Sequence, residues 1–143
     1  MDMDELYRNF LSGEDTLRVY SGGRLIFTSR KDRLKALLGY IDNLAPDNPG
    51  VTMMDRVVGN AAALLAIKAG CREIYSPLAS RLACRTLDEH GVRYHFDQTV
   101  AYIRQADGRS KCPMERLSQK KEPEQFYALL QARTVADTPA SSC

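Results

Sequence analysis

No charge of one sign dominates this sequence. Twenty Lys and Arg stand against 18 Asp and Glu, a formal net charge of +2, so composition offers no electrostatic case for nucleic acid or an anionic membrane as partner. No long apolar run is present either. The longest, residues 61–69, is interrupted by Lys68 and is far shorter than the roughly 20 residues of a bilayer-spanning helix. The opening residues Met1-Asp2-Met3-Asp4-Glu5 are acidic where a signal peptide is basic. Together these features predict a soluble, cytoplasmic protein that is neither exported nor inserted into a membrane.

Metal and phosphate signatures are missing as well. Cys71, Cys84, Cys112 and Cys143 are widely and irregularly spaced, no Cys-x-x-Cys pair occurs, and neither His90 nor His95 stands at a ligand-like offset from a cysteine. A four-ligand structural zinc site is therefore not expected, and the cysteines read as reduced cytosolic thiols. Neither G-x-G-x-x-G nor G-x-x-x-x-G-K-[ST] is found, so the dinucleotide and P-loop fingerprints are absent. No repeat period argues for a solenoid. The expected cofactor and metal content is none.

What is present reads as one α/β domain over residues 1–135, with a disordered tail at 136–143 rich in Ala, Asp, Thr, Pro and Ser. Leu6, Phe10 and Leu11 mark a short amphipathic helix within 1–13, ended by Gly13. Two β-rich runs, 17–20 and 24–28, flank Ser21-Gly22-Gly23 and predict a hairpin. Ser29 and Asp32 resemble a capping box before a helix whose face carries Leu34, Leu37, Leu38, Ile41 and Leu44. After the turn cluster 47–50 comes an apolar run, 51–54, and then a helix from about Asp55 to Gly70. Residues 74–76 read as a strand, Pro77 as the first turn of a helix running to Gly91, and 92–96 as a strand. Asp107-Gly108 marks a turn, Cys112-Pro113 starts another helix, and 122–135 is a last amphipathic helix. Helices alternating with strands predict parallel pairing, so the sheet is expected to be mixed, with the N-terminal β-hairpin attached.

Two places carry candidate chemistry. The stretch Asp55-Arg56-Val57-Val58-Gly59-Asn60-Ala61-Ala62-Ala63 is crowded with small side chains. A glycine within a helix costs about 1 kcal/mol relative to alanine, so Gly59 calls for a close approach to something. The N-terminus of that helix offers free N–H groups to an anion; on the plainer reading Asp55 is an N-cap and the alanines only allow tight packing. Asp55, Arg56, Gly59 and Asn60, with Ser76 at the end of the next strand, are the candidate ligand-binding residues. The second place is Cys112, where a thiol at a helix start beside Lys111 would be favoured as thiolate. Cys112, with Asp55 or Glu115 as acid or base, forms the candidate catalytic set; its bland alternative is a structural cap. His90 suits a helix C-terminus, and His95 shares a strand face with Arg93 and Asp97.

The hairpin 17–28, Asp55-Arg56-Val57-Val58-Gly59-x-Ala61-Ala62, Glu73-Ile74-Tyr75 and Cys112-Pro113-Met114-Glu115 resemble the family grouped as domain of unknown function 1893. The resemblance covers about residues 17–117. It implies a cytidine-deaminase-like fold, a three-layer α/β/α sandwich, and no established activity. Zinc deaminases need His (or Cys)-x-Glu on one helix and Pro-Cys-x-x-Cys on the next. The corresponding positions here read Gly59-Asn60-Ala61 and Pro77-Leu78-Ala79-Ser80-Arg81, with every ligand and the glutamate absent. The family pattern also places lysine where this chain has Asn60. A deaminase-like scaffold without its metal ligands points to a binding or sensory module for a small, nucleotide-like ligand. The alternatives are a zinc-independent enzyme with Cys112 as nucleophile and an interaction protein whose C-terminal helix docks a partner. A homo-oligomer remains open.

Overall fold

The computed structural model describes residues 2–45, 48–104 and 113–132. Leu17–Ser21 (β1) and Arg24–Ser29 (β2) form an antiparallel hairpin. Its two-residue loop holds Gly22 at φ +57° and Gly23 at φ +81°, the left-handed pair that a tight hairpin turn requires and glycine adopts without steric cost. On its other side β1 pairs, again antiparallel, with Val51–Asp55 (β3). From there the sheet is parallel. β3 pairs with the first half of a long strand, Cys71–Ser80 (β5), while Val57–Val58 (β4) pairs with Leu78 and Ala79 further along the same edge. Arg93–Val100 (β6) pairs along the opposite edge of β5.

Alternation along the strands divides the core. Tyr20, Met54 and Tyr75 point to one face, where Tyr7 and Phe10 of Met3–Ser12 (α1) cover them. Leu17, Val19, Met53 and Ile74 point to the other. That second face is covered by helices: Arg33–Asn43 (α2), Asn60–Lys68 (α3), Arg81–Glu89 (α4), and Pro123–Ala132 (α6) packed behind α3. A short helix, Pro113–Leu117 (α5), lies beside α3. The result is a mixed six-strand sheet with helices on both faces, a three-layer α/β/α sandwich. α3 is buried almost all round, Asn60 through Ala66, and its run of alanines lets it sit between the sheet and the helices α2, α4, α5 and α6. The apolar face of α6, Phe126 and Leu130, is spent inside this core.

Three expectations need correction. The helix expected from Asp55 starts at Asn60, because Asp55 closes β3, the β-branched pair Val57-Val58 adds a short strand, and Gly59 is the residue before the first helical turn. Pro77 does not open a helix: β5 runs through it to Ser80, whose hydroxyl accepts from the Ala83 N–H at 3.1 Å and caps α4. Pro77 is tolerated because β3 has ended and β4 resumes only at Leu78, so the missing N–H falls in a gap of the ladder. Asp32 precedes α2 but makes no side-chain cap, and the Ser29 hydroxyl accepts from the Lys31 N–H instead. The expected tail 136–143, the last residues of 122–135 and the turn at Asp107-Gly108 lie outside the described residues.

Between β3 and β4 the chain turns out of the sheet, and Arg56 leaves toward α1. Its guanidinium donates to the carbonyls of Asp15, Leu11, Phe10 and Gly13 and lies 4.3 Å from the centre of the Phe10 ring. These carbonyls sit at and just after the C-terminus of α1, where a cation both satisfies orphan acceptors and complements the helix dipole. Arg56 therefore fastens α1 to the sheet. Arg56→Met, which keeps the stem and removes the donors, is expected to lower unfolding free energy by about 2 kcal/mol. Urea denaturation with limited proteolysis in α1 measures this; unchanged stability and an equally protected α1 would contradict it.

Candidate functional site

A helix N-terminus leaves several N–H groups without intrahelical acceptors. At α3 the chain supplies one acceptor itself. Glu115, on α5, is only 2% exposed. Its Oε1 accepts from the Asn60 N–H at 2.5 Å and from the Ser80 hydroxyl at 3.4 Å, and its Oε2 accepts from the Ile103 N–H at 3.0 Å. The dipole of α3 favours negative charge at this end. The Asn60 side chain extends the network: Nδ2 donates to the Ser118 carbonyl and hydroxyl, both at 3.0 Å, and Oδ1 accepts from the Thr86 hydroxyl of α4. Ser118 in turn donates to the Glu115 carbonyl at 3.1 Å. Asn60, Ser80, Thr86, Glu115 and Ser118 are all buried, so the network meets the requirement that buried polar groups find partners.

Gly59 makes this seat possible. A Cβ at Gly59 would lie 2.8 Å from Oε1 of Glu115 and 3.1 Å from Cγ1 of Ile103. The close approach is thus to a carboxylate and a side chain of the same molecule.

Two adjacent clefts open beside the network, at the carboxyl ends of β4, β5 and β6. One, of about 280 Å³, is mainly apolar, formed by Val57, Leu78, Val100 and Ile103 with Tyr102 and Arg104 at its rim. The other, of about 320 Å³, is polar and contains Arg81, Arg85, Tyr102, Gln119 and Glu115. Ala101 and Tyr102 belong to both. Arg81 and Arg85 stand one turn apart at the start of α4 and are exposed. Among the described residues neither is paired with a carboxylate.

Of the residues singled out from sequence, Gly59, Asn60 and Glu115 are brought together. Asp55, Arg56 and Ser76 are not among them. Asp55 is fully buried at the end of β3, its Oδ1 accepting from the Arg56 N–H at 2.7 Å. Arg56 is engaged with the carbonyls of α1. Ser76 is buried within β5, its hydroxyl donating to the Leu78 carbonyl at 3.0 Å and accepting from the Leu78 N–H at 3.3 Å, where Pro77 interrupts the ladder. Cys112 and Lys111 lie outside the described residues. Burial pushes the Cys71 thiol up to about 12 and raises that of Cys84, so neither is a poised thiolate. Among the described residues no three His, Cys, Asp or Glu side chains gather as a metal site. Sequence reasoning missed Arg81, Arg85, Tyr102 and Gln119. The i, i+4 spacing of the two arginines was a usable signal, but a helix begun at Pro77 puts them in its middle, whereas the observed helix begins at Arg81.

The family model described as a domain of unknown function (DUF1893) matches residues 7–133. A search of the curated proteins finds no match. Among solved structures, the chain is similar to the crystal structure of a DUF1893 family protein from Thermotoga maritima, with 25% identity and a TM-score of 0.82 over 94% of this chain and 92% of that one.

On an unconstrained helix, replacing glycine by alanine stabilises by up to about 1 kcal/mol. At position 59 the sign is expected to reverse. Gly59→Ala should cost about 1–3 kcal/mol through overpacking against Glu115 and Ile103, and less in a Glu115→Ala background, a coupling that a double-mutant cycle by chemical denaturation measures. Additive effects, or a stabilised Gly59→Ala, would contradict this geometry.

Proposed function

The chain belongs to the DUF1893 family, and we propose that it is a binding or sensory module for a small anionic, nucleotide-like ligand held across the two adjacent clefts. The observation that carries this reading is the pairing itself: an apolar cleft and an arginine-bearing cleft share Ala101 and Tyr102 at the carboxyl ends of parallel strands, where ligands of open α/β sheets bind. An apolar lining with a few convergent polar groups suits a ring. Two exposed guanidinia suit a phosphate or carboxylate. The ligand is assigned to these clefts rather than to the N-terminus of α3, because Glu115 already takes the Asn60 N–H there. In this reading the scaffold is deaminase-like without the zinc site. The starts of α3 and α4 meet at one carboxylate oxygen, bound by the Asn60 N–H and the Ser80 hydroxyl, where a zinc deaminase would set its metal ligands.

The test is native mass spectrometry of the purified protein for a retained small molecule, followed by thermal shift with adenosine and cytidine monophosphates and inorganic phosphate. A ligand at about 100 times its Kd stabilises by about 2.7 kcal/mol, a rise of several degrees. The expected outcome is such a rise with a nucleotide in the wild type and its loss in an Arg81→Ala, Arg85→Ala double variant of unchanged intrinsic stability. No retained molecule and no rise with any of these probes would overturn the proposal.

A further inference from the structure

β6 is an edge strand. Among the described residues it pairs only with β5, and over eight residues its outer N–H and C=O groups are left as a template for another strand. The side chains on either face of that edge carry a pattern. On the α1 face stand Arg93, His95 and Asp97: Asp97 accepts from the Tyr7 hydroxyl at 2.8 Å, and the His95 ring stacks on Tyr75 at 4.3 Å. His95 also lies 2.8 Å from Glu73, and Arg93 lies 3.4 Å from the same carboxylate. Glu73 thus engages both from the neighbouring strand, yet the Arg93 side chain is still 71% exposed. On the opposite face Tyr94 and Phe96 stack with ring centroids 4.9 Å apart and remain half-buried.

We propose that β6 pairs antiparallel with β6 of a second copy of this chain, about a two-fold axis at His95, joining the two sheets into one. Faces are preserved only for registers that shift by an even number of residues, since an odd shift sends every side chain to the wrong side. Centred on His95, the pairing sets Arg93 opposite Asp97 of the second copy, twice by symmetry, and Tyr94 opposite Phe96, also twice. Opposite charges and aromatic pairs directly across a ladder are the favourable cross-strand contacts. The neighbouring even registers match less well: centred on Tyr94, Arg93 would face His95, and centred on Phe96, Arg93 would face Thr99 and Tyr94 would face Gln98, leaving only His95 opposite Asp97. A two-fold contact must be self-complementary, and this five-residue palindrome of charge and aromaticity is what such a contact requires. The axis leaves α1 and α4 flanking the seam on either side of the joined sheet.

Sedimentation equilibrium of the full chain is expected to give a dimer. Asp97→Arg and Arg93→Asp, each placing like charges opposite one another, should shift it to monomer, and the double variant that swaps both should restore the dimer. Because Asp97 also holds Tyr7, loosening of α1 could weaken a single variant, so a second variant decides independently. His95→Cys under mild oxidation should form a disulfide between copies at position 95, identified by peptide mass spectrometry, because opposed Cα atoms in an antiparallel pair are about 4.5–5.5 Å apart. A wild type that stays monomeric at its highest soluble concentration, a dimer indifferent to the charge swaps, or a dimer that forms no disulfide at position 95 would overturn the proposal.

Discussion

A carboxylate buried in protein must be surrounded by donors, and the Glu115 carboxylate has three: the Asn60 N–H, the Ile103 N–H and the Ser80 hydroxyl. Desolvating a charge without such partners would be prohibitive. With them, it becomes the point at which four otherwise separate parts of the chain meet. Asn60 begins α3, Ser80 ends β5 and caps α4, Ile103 follows β6, and Glu115 belongs to α5. Gly59 lacks a side chain so that the carboxylate can reach the first amide of α3. The Asn60 side chain then binds Ser118 and Thr86, so the same few residues fix both the start and the flank of α3.

This arrangement decides where a ligand can bind. In many α/β proteins the N-terminus of a central helix receives an anion from outside, but here the chain provides the anion. The accessible positive charge lies instead on α4, where Arg81 and Arg85 border a polar cleft in which Glu115 also takes part. The buried network and the open clefts share a wall, so whatever holds Glu115 in place also shapes the clefts. A few residues before Gly59, Arg56 plays a comparable structural part with opposite charge, gathering the carbonyls at the C-terminus of α1.

The parts of this fold that were legible in the sequence are those governed by local chemistry. Gly22-Gly23 between β-rich runs marks the hairpin, and Gly70 and Gly91, at φ +80° and φ +69°, end helices as left-handed residues. The mixed sheet followed from the alternation of elements. What escaped depends on partners distant in sequence. Pro77 favours a helix start in isolation and sits in a strand only because β3 and β4 leave a gap opposite it. Asp55 looks like an N-cap until β1 and β5 draw its segment into the sheet. The candidate set mixed residues that converge, Gly59, Asn60 and Glu115, with Arg56 and Ser76, whose polar atoms serve the backbone. Nothing local distinguishes the two groups, since Glu115 and Asn60 are 55 positions apart.

Hydrogen exchange at two backbone amides tests the role of Glu115 most directly. The Asn60 N–H has no acceptor within α3 and the Ile103 N–H lies beyond the end of β6, so protection of either must come from the carboxylate. Both amides should exchange as slowly as those of β3 and β5 in the wild type. In Glu115→Ala both should lose protection while the interior amides of α3 and β5 keep theirs. Fast exchange at Asn60 and Ile103 in the native protein, or protection that survives the loss of the carboxylate, would contradict this account.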